Sequence, residues 1–228
     1  MEPVVRVATA STVDVVELAA VAARTFPLAC PPSVALADVA SFIDANLSDA
    51  RFAEYLADPQ RRIFTAAQQG RIIGYAMLIA GVSDDPEVQR AVDIRPAAEI
   101  SKMYVLAAHH GLGVATALMD AALAAAADWA ARCVWLGVNQ KNQRAQQFYQ
   151  RCGFIVNGTR SFRLGAHTES DYVMVRPLDA AQALTAALSA SSREVARRYF
   201  LRKPPASISS PKMRSSLSPE ASTGMPAS

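Results

Sequence analysis

The sequence predicts a mixed α/β fold of the α+β kind, one sheet flanked by helices, and three observations carry that expectation. Strands and helices alternate through the middle of the chain, the pattern of a parallel βαβ unit. Strand pairs stand at both ends, one about the Gln69-Gly70 turn and one between Phe154 and Arg176, and these require antiparallel neighbours. Between them, Glu99 to Val105 reads as a β-prone strand that enters a glycine-containing loop and then a highly helix-prone segment.

From the N-terminus, Val4 to Ala8 reads as a first strand. Ser11 or Thr12 is placed to cap a helix whose apolar positions are Val15, Val16, Leu18, Ala19 and Ala22. Pro27, Pro31 and Pro32 break the chain before two helical stretches, residues 33–47 and 50–58. Arg62 to Gln68 and Arg71 to Ala80 form the arms of a hairpin, and a polar loop over 83–96 leads to the Glu99 strand. The helix after Thr116 is Ala-rich, but Asp120 and Asp128 interrupt it within a span too short to cross a bilayer. Cys133 to Val138 is a further strand and Asn142 to Cys152 a helix closed by Gly153. Phe154 to Leu164 and Tyr172 to Arg176 complete the domain, which is expected over residues 1–178. A basic helical extension is expected over 179–202 and a disordered Ser/Pro-rich tail over 203–228.

A chain of 228 residues with 51% hydrophobic content can fill one core. Its net charge of +3 is a poor pointer to nucleic acid, because seven of its 23 basic residues but two of its 20 acidic ones lie from residue 190 onward. The domain itself is therefore mildly acidic, and neither nucleic acid nor a membrane is expected as partner. Cys30, Cys133 and Cys152 follow neither zinc nor disulfide spacing and read as reduced thiols of a cytoplasmic protein. The first ten residues lack the apolar run of a signal peptide. No metal site is expected: His109 beside His110 is the wrong spacing for a shared ion, and His167 stands alone.

Gly111-Leu112-Gly113 admits several readings. Thr116 stands where a dinucleotide-binding loop would have its third Gly, and the Gly-Lys-Ser/Thr of a P-loop is absent. A turn that merely joins strand to helix is one alternative; a loop of open N–H groups at a helix N-terminus, suited to a phosphate, is the other. About 30 residues on, Asn142, Ala145, Phe148 and Tyr149 share a short helix, and Gly153-Phe154 turns into the next strand. Together the two stretches resemble the two halves of the acetyl-CoA site of the GCN5-related N-acetyltransferase (GNAT) family. His110-Gly111-Leu112-Gly113-Val114-Ala115 is similar to the family's Gln/Arg-x-x-Gly-x-Gly/Ala, with His at the first position. Asn142 to Phe154 match every fixed position of Asn-x-x-Ala-x-x-Phe-Tyr-x-x-x-Gly-Phe. The resemblance spans roughly residues 4–178. Gly158, Ser161, Phe162, Gly165, Asp171 and Met174 further resemble the PaiA-like spermidine/spermine acetyltransferase branch.

The resemblance implies a GNAT-type, mostly antiparallel sheet with a V-shaped opening that holds acetyl-CoA. The amides of Gly111, Leu112, Gly113, Val114, Ala115 and Thr116 would hold its pyrophosphate at a helix dipole. His110, where Arg or Gln is usual, would make that grip weaker or pH-sensitive. The backbones of Met103, Tyr104 and Val105 would pair with pantetheine as an added strand, with Asn142 on its other side or serving as a helix cap. An amide near Met103 would meet the charge developing on the acetyl oxygen. Tyr149 is the implied general acid at sulfur, with a core aromatic role as the alternative. Glu99 is the implied base, or a charge that orients the amine. Asn139 departs from the Trp usual in relatives.

The resulting expectation is an acetyl-CoA-dependent N-acetyltransferase acting on a primary amine by direct transfer in a ternary complex, with a polyamine as first acceptor. Asp84, Asp85, Glu87, Asp93 and Glu99 would line a polyamine site, although a charged loop is equally a solvated surface. Residues 33–58 would shape the acceptor pocket. Cys152, one turn from Tyr149, reads as a buried thiol or a reactive one. Alternatives are an acceptor such as a protein amine or an aminoglycoside-like antibiotic, and a CoA-binding regulatory module without turnover. A small-molecule amine is the expected partner, and a homodimer is left open.

Overall fold

The computed structural model describes residues 3–31, 34–164 and 167–178. The basic helix and the Ser/Pro-rich tail expected from the sequence lie outside those residues. Seven strands form one sheet: β1 (Val4–Ala8), β2 (Arg61–Gln68), β3 (Arg71–Ala80), β4 (Ala97–Val105), β5 (Cys133–Asn139), β6 (Ile155–Leu164) and β7 (His167–Pro177), in the order β1-β2-β3-β4-β5-β7-β6. All neighbours are antiparallel except β4 and β5, so the sheet is mixed and mostly antiparallel. Around it lie α1 (Val15–Thr25), α2 (Leu36–Leu47), α3 (Asp49–Ala57), α4 (Pro86–Ala91), α5 (Val114–Asp128) and α6 (Gln143–Arg151).

The parallel junction positions the site. β4 and β5 pair at Ala97 with Cys133, Ala98 with Val134 and Glu99 with Trp135, and there the ladder stops. β4 nonetheless stays on β3 as far as Val105 opposite Gly74, and β5 stays on β7 as far as Asn139 opposite Asp171. The two halves of the sheet therefore splay apart beyond Glu99. A register shift accompanies the splay: Lys102 faces Met77 and Ile100 faces Leu78, which leaves Ser101 as the extra residue of a bulge. A bulge sharpens the local twist and turns a strand away from its neighbour.

Apolar side chains pack both faces. On one, Ala98, Ile100 and Val105 meet Leu118, Met119, Ala122 and Ala126 of α5, together with Phe154. The many alanines of α5 let that helix lie close against the strands. On the other, Ile63, Tyr75 and Met77 meet Leu18 and Ala22 of α1, Leu47 of α2 and Phe52 of α3. A third cluster joins α4 to Trp135, Val173 and Val175, and the buried Trp135 donates from Nε1 to the Gly81 carbonyl at 3.1 Å.

Several local expectations need correction. Asp14, not Ser11 or Thr12, caps α1: its Oδ1 accepts from the amides of Val16 and Glu17 at 3.0 Å. The Thr12 hydroxyl is engaged one turn earlier, by the amide and hydroxyl of Thr9. The buried face of α1 is Leu18, Val21, Ala22 and Thr25, so Val16 is 63% exposed. The polar 83–96 loop contains α4, started by Asp85 as cap and Pro86 at the first helical position. β7 begins at His167 rather than Tyr172, because the hairpin with β6 continues to Leu164 opposite His167.

Candidate active site

The open flank of β4 is the first component. The Leu106 amide donates to the Ile73 carbonyl at 2.9 Å, which fixes the phase of the antiparallel ladder. By alternation, the backbone of Tyr104 is turned to Tyr75, and those of Met103 and Val105 are turned to the splay. Tyr104 thus cannot offer its main chain to a ligand there, contrary to the sequence expectation. His110 Nε2 lies 2.8 Å from the Val105 carbonyl oxygen, so Nε2 donates and ties the loop to the end of β4. This explains a histidine at that position: it braces the loop.

The loop is the second component. Gly111 and Gly113 have φ of 80° and 79°, a left-handed conformation that a side chain strains, although a Cβ at either would meet nothing within 4 Å. Gly113 is the N-cap of α5 and no side chain caps it. Among the described residues, no partner is found for the amides of Gly111, Leu112, Gly113, Val114, Ala115 and Thr116, while the amides of His109 and His110 bond back to Leu106 and Ala107. Six open donors at the positive end of a 15-residue helix fit a pyrophosphate.

Across the splay stands α6. Asn142 is its N-cap: Oδ1 accepts from the Ala145 amide at 3.1 Å, which leaves its NH2 group to donate elsewhere. The capping alternative raised from the sequence is therefore realised. Tyr149 packs edge-on to Phe154 with ring centroids 6.0 Å apart and to Phe148 at 5.5 Å. Burial pushes its phenol up to about 12. Burial, then the charge of the Tyr149 phenol, raise the Tyr104 phenol as well. Burial also raises the Cys152 thiol, so it is no activated nucleophile.

The face of the sheet away from α5 holds Glu99, at the last β4–β5 pair. Burial raises its carboxyl pKa, and Arg160, Lys102 and Arg61 oppose that rise. Arg160 lies flat on β5 at Gly137, where any Cβ would come within 2.3 Å of its Nη2, and it reaches Asp171 at 3.4 Å. Burial raises the Asp171 carboxyl too, against the pull of Arg160. Glu169 is paired with Lys141 at 2.9 Å. Arg160, Lys102 and Arg61 escaped sequence reasoning, although a glycine inside a strand, Gly137, signals a close approach.

The acidic loop does not gather as a binding site. Asp85 accepts from the Glu87 amide at 2.8 Å and so caps α4, while Glu87 Oε2 accepts from the Ser161 amide at 2.7 Å and so secures α4 against β6. Asp84 and Asp93 are exposed. Among the described residues, no helix is long and apolar enough to cross a membrane and no group of three metal-ligating side chains converges.

A sheet opened beside a helix N-terminus that no side chain caps, with a carboxylate at the apex of the opening, suits an extended ligand with an anionic end. Residues 29–154 match the Acetyltransferase (GNAT) family. The chain is 65% identical over 165 residues to an uncharacterised N-acetyltransferase of Mycobacterium bovis, covering 72% of this chain and 98% of that protein, and equally to one of Mycobacterium tuberculosis. Its fold is similar to that of the PaiA N-acetyltransferase from Thermoplasma acidophilum in complex with coenzyme A, with a TM-score of 0.61 and 16% identity over 78% of this chain and 100% of that one. A GCN5-related N-acetyltransferase from Rhodopseudomonas palustris follows at TM-score 0.58 and 18% identity, over 78% and 97% of the two chains. The chain belongs to the GNAT family and is an acetyl-CoA-dependent N-acetyltransferase.

Proposed function

We propose that the protein transfers acetyl directly from acetyl-CoA to a primary amine held on the Glu99 face. The observation that carries this reading is the six-donor loop beside the open β4 edge, with Glu99 and Tyr149 on either side. The loop amides bind the pyrophosphate, and Met103 and Val105 pair with the pantetheine arm through the backbone groups turned to the splay. The Asn142 amide approaches that arm from α6.

In the reaction the amine nitrogen bonds to the acetyl carbon, the carbon–sulfur bond breaks, nitrogen loses a proton and sulfur gains one. Glu99 accepts the proton from nitrogen, and its raised pKa makes it a stronger base than an ordinary carboxylate. An amide of β4 near Met103 donates to the acetyl oxygen as charge gathers there. Tyr149, near 12, stays protonated at neutral pH and donates a hydrogen bond to the departing sulfur. A thiolate with a pKa of about 8.5 is a weaker base than such a phenolate, so Tyr149 keeps its proton while it hydrogen-bonds the departing sulfur, and the CoA thiolate takes its proton from solvent water.

A polyamine acceptor is supported by Glu99, Asp171 and Glu169 on one face, and by the likeness of Gly158 to Met174 to the PaiA-like branch. The cations beside each of these carboxylates oppose it. The test is release of CoA thiol from acetyl-CoA with spermidine, spermine, lysine peptides, an aminoglycoside and small amines. Turnover with any of them supports transfer, and in the Tyr149→Phe variant kcat is expected to fall by about 100-fold. An unchanged kcat in that variant removes Tyr149 from the chemistry. Acetyl-CoA binding without turnover on any amine would favour the regulatory-module reading.

A further inference from the structure

The acceptor face carries a cation that the transfer chemistry does not use. Lys102 stands on β4 just past the bulge that separates it from Glu99, on the same face and partly buried. Its Nζ lies 5.6 Å from the centre of the Tyr55 ring, and the Arg61 guanidinium lies 4.8 Å from that same centre. Arg51 is a third cation at 5.8 Å. Two of the three have carboxylates of their own: Arg61 pairs with Asp58 at 2.8 Å and Arg51 pairs with Glu54. Lys102 has no ion-pair partner among the described residues, and Glu99 supplies the negative charge that favours its ionised form.

Like charges gathered on one partly desolvated ring repel, and removing an ammonium from water costs free energy unless an anion compensates. The carboxylates of the neighbouring strands do not supply one, because Asp171 holds Arg160 and Glu169 holds Lys141. A polycation entering here would place its second ammonium against Lys102 and Arg61. An acceptor with a negative group beside its amine would instead satisfy Glu99 and Lys102 at once.

We infer that the acetyl acceptor is a small primary amine bearing an anionic group, a carboxylate or a phosphate, and that Lys102 receives this anion, with Arg61 behind it, while Glu99 holds the amine. The inference rests on the N-acetyltransferase reading above and names its substrate class. Burial and Arg61 lower the Lys102 pKa to about 8, with Glu99 opposing, so the charge is present at neutral pH. The groups that face it are Glu99 on its own strand, Arg61 on β2 and Tyr55 on α3.

The test uses matched amines that differ in the anion: β-alanine against its neutral amide, and O-phosphoethanolamine against ethanolamine, with spermidine as the polycation. kcat/KM is measured for each with the full-length protein and with Lys102→Met and Lys102→Arg, whose folding is checked by thermal melting. The wild type is expected to prefer the anionic member of at least one pair, and the pair that responds identifies carboxylate or phosphate. Lys102→Met should cut that preference by about tenfold or more, Lys102→Arg should retain most of it, and in the wild type it should fade as pH rises above about 8. Preference for spermidine or the neutral members, or a ratio unmoved in Lys102→Met, overturns the inference and leaves acetyl transfer standing. If Lys102→Met does not fold, the wild-type preference and its pH dependence decide alone. No turnover on any amine overturns the transfer reading and this inference with it.

Discussion

Glu99 illustrates how a residue acquires chemistry from its surroundings. Its carboxyl is raised by burial and pulled back by Arg160, Lys102 and Arg61, a balance that no reading of neighbouring letters could supply. As the proposed base, the group must be ionised, so kcat/KM is expected to fall as pH drops through a pKa above the ordinary carboxylate range. Glu99→Gln should lower kcat/KM and abolish that acidic limb; a variant that keeps the limb would assign it to another group. The positions of Tyr149 on α6 and of Asn142 at its N-terminus were legible in the sequence, because both stand at fixed spacing from Phe154. Lys102, Arg61 and Arg160 were not, because β4, β2 and β6 bring them together only once the sheet is paired. The acidic residues of the 83–96 segment were misleading for the same reason: Asp85 and Glu87 find backbone amides and serve the fold.

At the scale of elements, the functional unit is β4, its bulge, the loop and the start of α5. Strand, loop and helix were legible from glycine placement and alanine content. The bulge at Ser101 was not, because it depends on the register that β3 imposes. The helix N-terminus depends on Gly113, whose φ of 79° has steric room around it but is costly for any other residue. Gly113→Ala is therefore expected to destabilise the protein by about 1 kcal/mol and to raise KM for acetyl-CoA more than it lowers kcat. Thermal melting and acetyl-CoA titration check this, and an unchanged KM would separate the loop from pyrophosphate binding. His110 shows a second tier of support, since its ring holds the loop to the strand that pantetheine is proposed to extend.

At the scale of the molecule, the fold was largely legible: hairpins at the ends and alternation in the centre required a mixed sheet, and the strand order confirms it. What the sequence could not show is that the central parallel pair is three residues long, so that the sheet opens where transfer is proposed to occur. The opening sets two chemical faces against one another, the loop proposed to bind CoA and α6 on one side and Glu99 on the other. That geometry suits the proposed direct transfer, and burial raises the thiols of Cys30, Cys133 and Cys152, which makes each a poor acetyl carrier. The most direct test is an initial-velocity study that varies acetyl-CoA and the best amine together while CoA thiol is recorded. Intersecting double-reciprocal lines are expected for direct transfer in a ternary complex; parallel lines would demand an acetylated enzyme and contradict the account.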